Sequence, residues 1–398
     1  MAVYVLDKTM ATTEVVRTWY DEAQQELKEE YEVKKTPEGK IRHGAYRIHY
    51  VAGRLWQQGQ YENGDLSGDW KIYHPNGVLK QELTFVKGKK VGPFSSYYAE
   101  NQQLKESGAF LFDQIHGEVK IYYPNGQLQE LAYYERGVLQ GEVIDFYEDG
   151  TLLQKLSYTD GKVEGPWERY YPNGHIKERS FKKGDVYHGK FIGYYKDYED
   201  GAKHKVCTYV NGVLEGEYMG YHPNGQVSLR CTYRSGLIEG HYEEYYEDGN
   251  LYIRGQYTHN EKSGVWETFH PNAQLYLIGE FKDRVFEGEW KAYHPNGELK
   301  QVGSYSKGLA QGPWKFYYDN GTPSKVGSYV DDLPTGEWLQ YYRTGEMMAQ
   351  GSYQNGQLQG PKIYYAKSGQ RIRTEYYEAG QLTCSEGAPF DLEAEEQK

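Results

Sequence analysis

Four histidines, His74, His222, His270 and His294, occupy one recurring slot directly before a turn. Imidazoles at fixed spacing are the first place to look for metal chemistry. His270 and His294 lie one period of 24 residues apart. If each period contributes two strands, equivalent positions are about 9 to 10 Å apart, too far to share an ion whose ligand bonds are about 2.1 Å long. Tyrosine fills the same slot at Tyr123, Tyr171, Tyr246, Tyr318 and Tyr342, so the slot selects a planar, half-exposed side chain and not a ligand. The neighbouring carboxylates Glu243-Glu244 and Asp331-Asp332 read as solvated strand or turn residues. Cys207 and Cys231 are also one period apart once an insertion is removed, beyond the Cα reach of a disulfide, about 7 Å. They read as small core residues, and Cys384 as an incidental thiol near a loose end. The chain contains no phosphate-binding glycine loop, no His-Glu-x-x-His zinc motif and no Gly-x-Ser-x-Gly nucleophile elbow. The expectation is a protein without catalytic, cofactor-binding or metal-binding residues.

The repeat that spaces these residues is opened by Gly44, Gly68, Gly92, Gly117, Gly141, Gly165, Gly189, Gly216, Gly240, Gly264, Gly288, Gly312, Gly336 and Gly360. The spacing is 24 residues except from Gly92 to Gly117, which is 25, and from Gly189 to Gly216, which is 27. Such phase marks a repeat architecture and not a compositional bias. Each unit reads as two strands and two turns. In the unit opened by Gly288 the spacing predicts strands Glu289–His294 and Leu299–Tyr305 around the corner Pro295-Asn296-Gly297. Proline presets the first corner dihedral, asparagine tolerates a left-handed conformation and glycine accepts positive φ. A second turn, such as Lys87-Gly88 or Asn211-Gly212, leads to the next glycine. The predicted fold is all-β: an elongated, twisted antiparallel meander or solenoid of about 14 to 15 stacked hairpins of 24 residues.

Three segments follow. Residues 1–43 form an N-terminal cap with a degenerate repeat, residues 44–384 the repeat array, and residues 385–398 an acidic disordered tail. Within the cap, Val15, Val16, Trp19, Ala23 and Leu27 could line a helix. The echo of Tyr97-Tyr98 through Lys105-Glu106 in Trp19-Tyr20 through Lys28-Glu29 favours a strand pair instead. The insertion from Lys196 to Gly201 either kinks the array or marks a specialised contact. A net charge of -12 disfavours nucleic acid and anionic membranes as partners. No apolar run reaches the roughly 18 residues that span a bilayer, and Met1–Met10 lacks the apolar stretch of a signal peptide. The expected compartment is the cytoplasm.

Aromatic residues mark where packing happens. Two residues after the opening glycine stand Trp70, Phe94, Trp167, Trp266, Trp290, Trp314 and Trp338, among others. Near the end of the second strand stand Phe85, Tyr134, Tyr257, Phe281, Tyr305, Tyr329 and Tyr353. Both rows read as the core. A third row lies five residues after the glycine: Tyr73, Tyr97, Tyr122, Tyr170, Tyr194, Tyr221, Tyr245, Tyr293, Tyr317 and Tyr341. Its odd separation from the first row puts it on the opposite face of the sheet unless a bulge intervenes. A single layer cannot bury both faces, so this row is the candidate partner-binding surface.

Units such as Gly68-Asp-Trp-Lys-Ile-Tyr-His-Pro-Asn-Gly77 with Leu79, and Gly288-Glu-Trp-Lys-Ala-Tyr-His-Pro-Asn-Gly297 with Leu299, resemble the bacterial MORN-repeat variant of the YwqK-type antitoxin family. The resemblance covers residues 14 to 384. It implies stacked hairpins that serve protein interactions, with some members acting as antitoxins or immunity-like partners, and it supplies no catalytic residues. Departures are Lys362 in the Trp slot, Ala273 in place of the corner glycine, and Val119 and Val143 in place of aromatics. The expected role is non-enzymatic binding of a protein partner, such as a toxin or effector, with a homodimer compatible. The alternatives are a structural scaffold and, less favoured, a protein that binds or hydrolyses glycans.

Overall fold

The computed structural model describes residues 13–198 and 201–389. Secondary structure among them is entirely strand and turn. The chain divides into two compact units near the insertion. The first holds the described residues through Gly189 together with Gly201, and the second holds Lys190–Tyr198 and the residues from Ala202 onward. No change of composition announced that division. Residues 1–12 and 390–398, including the segment read as lacking a signal peptide and most of the acidic tail, lie outside the described residues. The tail assignment needs correction at its start, because strand Gln381–Gly387 pairs with Arg371–Glu378. In the cap, Thr13–Trp19 and Leu27–Thr36 form an antiparallel strand pair and not a helix.

Within each unit every hairpin pairs antiparallel with the next, in a recurring register. Strand Val285–Tyr293 pairs Gly288 with Tyr305 and Trp290 with Gly303 on its far side. The first strand therefore starts three residues before the glycine that appeared to open it. On the near side the register jumps: Ile278 faces Lys291 and Glu280 faces Glu287, so the single Gly279 opposes Gly288, Glu289 and Trp290. Gly288 is thus a bulge residue, with φ of 68°, inside the strand and not at its entrance. The bulge loosens ladder pairing at the residue after the glycine, which explains how Pro313 is tolerated inside the strand Leu309–Tyr317.

The corner is a three-residue loop. The Gly297 N–H donates to the His294 carbonyl at 2.9 Å and the His294 N–H to the Glu298 carbonyl at 2.8 Å. Gly297 has φ of 87°, completing a turn that ends in a left-handed residue. Asn296 is not left-handed, contrary to the reading of the corner. Its side chain serves instead, accepting the Glu298 N–H at 3.1 Å and donating to the carbonyl of Asp319 in the next corner at 2.5 Å. At the other end, Lys307 and Gly308 both have positive φ, 50° and 83°, as the tight two-residue hairpin turn requires.

The core lies on one face of each unit. In the second unit Trp266, Trp290, Trp314 and Trp338 are 2 to 4% exposed. Each indole rests on the glycine of the preceding strand. A Cβ placed on Gly279 would sit 2.0 Å from Trp290 Cδ2, and one on Gly303 2.0 Å from Trp314 Cδ2. The two expected ladders interlock into one layer: Trp314 is fenced edge-on by Tyr305 at 5.2 Å and Tyr329 at 5.8 Å, and Trp338 by Tyr329 at 5.0 Å. Burying 150 to 250 Å² at about 25 cal/mol/Å² makes each indole worth about 4 to 6 kcal/mol as an upper bound.

Candidate functional site

Whether the tyrosine row faces away from the tryptophans is decided by which groups it touches. The Tyr245 hydroxyl donates to Glu243 at 2.6 Å and the Tyr170 hydroxyl to Glu168 at 2.8 Å. Each carboxylate lies two residues earlier on the same strand and hence on the same face. Those positions alternate with Tyr242 and Trp167 of the core face. The corner register shift, where Ala292 faces Gln301 and Tyr293 faces Leu299, inserts its extra residue in the partner strand and leaves the alternation of the tyrosine strand intact. Parity therefore holds, and the row shares the face opposite the tryptophans.

Tyr73, Tyr97, Tyr122 and Tyr170 belong to the first unit, and Tyr194, Tyr221, Tyr245, Tyr293, Tyr317 and Tyr341 to the second. All are half-buried except Tyr194, which is 7% exposed. Within each unit neighbouring members are two strands apart, about 9.5 Å, or four where Phe146 or Phe269 takes the intervening place, so they form a row and not a cluster. Several hydroxyls are held: Tyr73 accepts from Gln58 at 3.1 Å, Tyr97 donates to Glu82 at 2.8 Å, and Tyr221 contacts Met219 Sδ at 3.8 Å. Burial, with the hydrogen bond to Glu82 or Glu243 second, raises the pKa of Tyr97 and Tyr245. They stay neutral donors at physiological pH.

Between the tyrosines runs a ladder of paired charges. Arg230 approaches Glu243 at 3.8 Å and Glu217 at 4.0 Å, and Arg254 pairs with Glu267. A shallow cavity of about 390 Å³ is lined by His241, Glu243, Arg254, Gln256 and Glu267. The ladder and the row give this face what a protein interface uses: ring surface that keeps a polar tip, and oriented charges of both signs.

The histidine slot proves structural. His74, His222, His270 and His294 each place Nε2 at 2.8 to 3.1 Å from the carbonyl of the tyrosine-row residue one repeat on. The tyrosines of the slot do the same with their hydroxyls, Tyr123 to Phe146 at 2.9 Å and Tyr318 to Tyr341 at 2.8 Å. Imidazole and phenol are interchangeable because either reaches across with one donor. No group of three or more His, Cys, Asp or Glu side chains among the described residues could hold a metal ion. Cys207 and Cys231 are 2% exposed in the slot that glycine fills beneath the tryptophans, and burial pushes the Cys231 thiol up to about 11. Asp331 and Asp332 form a two-residue turn with φ of 47° and 66°, and Asp332 accepts the Ala310 N–H.

One group escaped the sequence reading. Glu130 and Asp145 face each other across paired strands on the core side. Burial raises both pKa values, and Asp145 with Glu106 adds to the rise at Glu130. The available signal was that Asp145 fills a position held elsewhere by Ile72, Ile121, Ala292 or Phe316.

Each unit is thus a meander of stapled hairpins with a packed core face, aromatic throughout Trp266 to Trp338 of the second unit, and a mixed tyrosine and charge face, the build of a repeat protein for interaction or scaffolding. Nine segments match the MORN repeat variant: residues 66–87, 115–136, 139–160, 163–183, 214–235, 238–259, 286–307, 310–331 and 334–355. Each match begins two residues before the bulge glycine. These nine segments are accordingly MORN-variant repeats, modules that commonly serve protein interaction or scaffolding. No curated protein matches it. Among solved structures it is similar to the TcdB2-TccC3 complex, at 11% identity and a TM-score of 0.17 over 92% of this chain and 23% of that one. The TcdB2-TccC3-Cdc42 complex gives 12% identity and a TM-score of 0.16 over the same shares. The chain thus spans about a quarter of those chains, and a likeness this weak has no bearing on its role. No helix among the described residues is long and apolar enough to cross a membrane.

Proposed function

We propose that this is a non-catalytic, cytoplasmic interaction protein that binds another protein along its tyrosine face. The observation that carries the reading is the asymmetry of the two faces. The tryptophans are sealed by their own neighbours, whereas the opposite face keeps half-buried tyrosines beside oriented charge pairs. The sealed indoles also offer no platform for stacking sugars, which weighs against a glycan ligand. Neutralisation of a toxin or effector is the narrower reading, supported by the resemblance of the units to the bacterial variant.

The test is affinity capture from the native host with the full chain and with Tyr245→Ala, Tyr293→Ala and Tyr317→Ala combined. Loss of the captured partner with an unchanged thermal transition is expected, and undiminished capture by the folded variant would reject the face. The side-chain staples between repeats favour a second reading, a rigid scaffold whose length matters. Deleting one 24-residue unit separates them: a ruler shortens and still works, while a shaped face loses its partner.

A further inference from the structure

At the end of the strands away from the corners, the residues flanking the two-residue turns are aliphatic and exposed in successive repeats of the second unit. Val285, Leu309, Val330 and Leu333 are 37%, 39%, 52% and 50% exposed. They line one edge of the unit as a ridge, and Val285 and Leu333 each lean on the turn of the following repeat. A Cβ on Gly308 would lie 3.2 Å from Val285 Cβ, and one on Gly356 3.1 Å from Leu333 Cδ2. Charge changes sign along the ridge. Lys282 and Arg284 flank the Val285 end, with Asp283 between them and Arg284 paired with Glu261, and Asp331 and Asp332 sit between Val330 and Leu333. Leu309 lies midway.

We propose that this ridge is a self-association surface, occupied by the same ridge of a second copy turned end for end about a two-fold axis at Leu309. Three arguments select that occupant. A two-fold pairing sets Val285 of each copy against Val330 and Leu333 of the other, so apolar meets apolar. The same operation sets the net-positive segment Lys282–Arg284, with Lys282 as its cation outside the Arg284–Glu261 pair, against Asp331 and Asp332 on both sides, so opposite charge meets twice. A second copy also has the identical step of about 9.5 Å per repeat, whereas a helix with one apolar residue per heptad steps by about 10.5 Å and drifts out of register. The backbone N–H of Lys307, closest to the axis, donates to the Glu287 carboxylate at 2.8 Å, which puts a negative group beside Lys307 in each copy. The ridge lies at the opposite strand end from the tyrosine row, so it does not rest on the proposed function.

Sedimentation equilibrium on the full chain tests the pairing. The contact is narrow, at the low end of specific interfaces, about 1,200 Å² or less, so a reversible dimer at micromolar concentrations is expected. Leu309→Asp should give a monomer with an unchanged thermal transition. Asp331→Lys should weaken association by about tenfold or more, and Lys282→Asp added to it should restore association. A chain that is monomeric throughout, a dimer indifferent to Leu309→Asp, or a double variant that stays as weak as Asp331→Lys would each overturn the proposal.

Discussion

The two units solve the same packing problem with different side chains. In the second, Trp266, Trp290, Trp314 and Trp338 lie on Gly255, Gly279, Gly303 and Gly327. In the first, Trp70 lies on Gly59 in the same way, whereas Val143 packs on Ala132, a smaller cap on a larger seat. Trp167, facing Leu156, is pushed off the layer: it is only half-buried, stacks on Tyr187 at 5.9 Å and donates to Gln154 at 3.1 Å. At Ala132 and Val143 the repeat therefore conserves volume and not residue type. Where the first unit loses aromatic filling, polar groups enter: Glu130, Asp145, Gln154 and, at 5% exposure, Glu178.

The sharpest way to break this contrast is to remove a cap. Trp314→Ala should destabilise the second unit by about 3 to 5 kcal/mol, read by chemical denaturation, and Val143→Ala in the first should cost less. Filling a seat comes next. Gly303→Ala drives a methyl into the Trp314 ring and should cost about 1 to 3 kcal/mol, while the methyl already present at Ala132 is accommodated by Val143. A loss at Gly303 no larger than that of an exposed substitution would contradict the seat.

The carboxylates give a smaller, pH-dependent difference. Burial raises the Asp145 pKa above its ordinary value of 3.8. Between that value and the raised one the folded chain holds more protons than the unfolded chain, so the contribution of Asp145 to stability falls as pH rises through this window. Asp145→Asn should therefore stabilise the protein at pH 7, with the gain vanishing towards about pH 4. A gain independent of pH would assign the effect to packing. The smallest expected effect is at Ala273, which holds φ of 64° where most corners, such as that of Gly297, have glycine. Ala273→Gly should stabilise by about 1 kcal/mol, seen as a raised denaturation midpoint.

Much of the architecture is legible in the sequence because it is written in local signals. The period, the Pro-Asn-Gly corners, the two-residue turns and the opposite facing of Trp290 and Tyr293 all follow from turn chemistry and strand alternation. What is not legible acts between repeats, 10 to 23 positions apart. The bulge at Gly288, the seating of Trp290 on Gly279, and the reach of Asn296 and His294 into the following repeat need the register of the neighbouring hairpin, which no local window contains. The Glu130 and Asp145 pair stayed hidden for the same reason, since each looks like an ordinary polar strand residue until the strands are paired. The tyrosine row was found from parity alone, but its half-burial depends on carboxylates such as Glu243 that parity does not place.

The claim that matters most is that one face of the sheet is sealed and the other receives the partner. Oxidative footprinting of the chain alone and in its captured complex addresses it directly, because tyrosine and tryptophan are modified according to their solvent access. Protection of Tyr245, Tyr293 and Tyr317 on complex formation, with Trp266, Trp290, Trp314 and Trp338 shielded in both states, is the predicted result. Unchanged modification of the three tyrosines in the complex would contradict it.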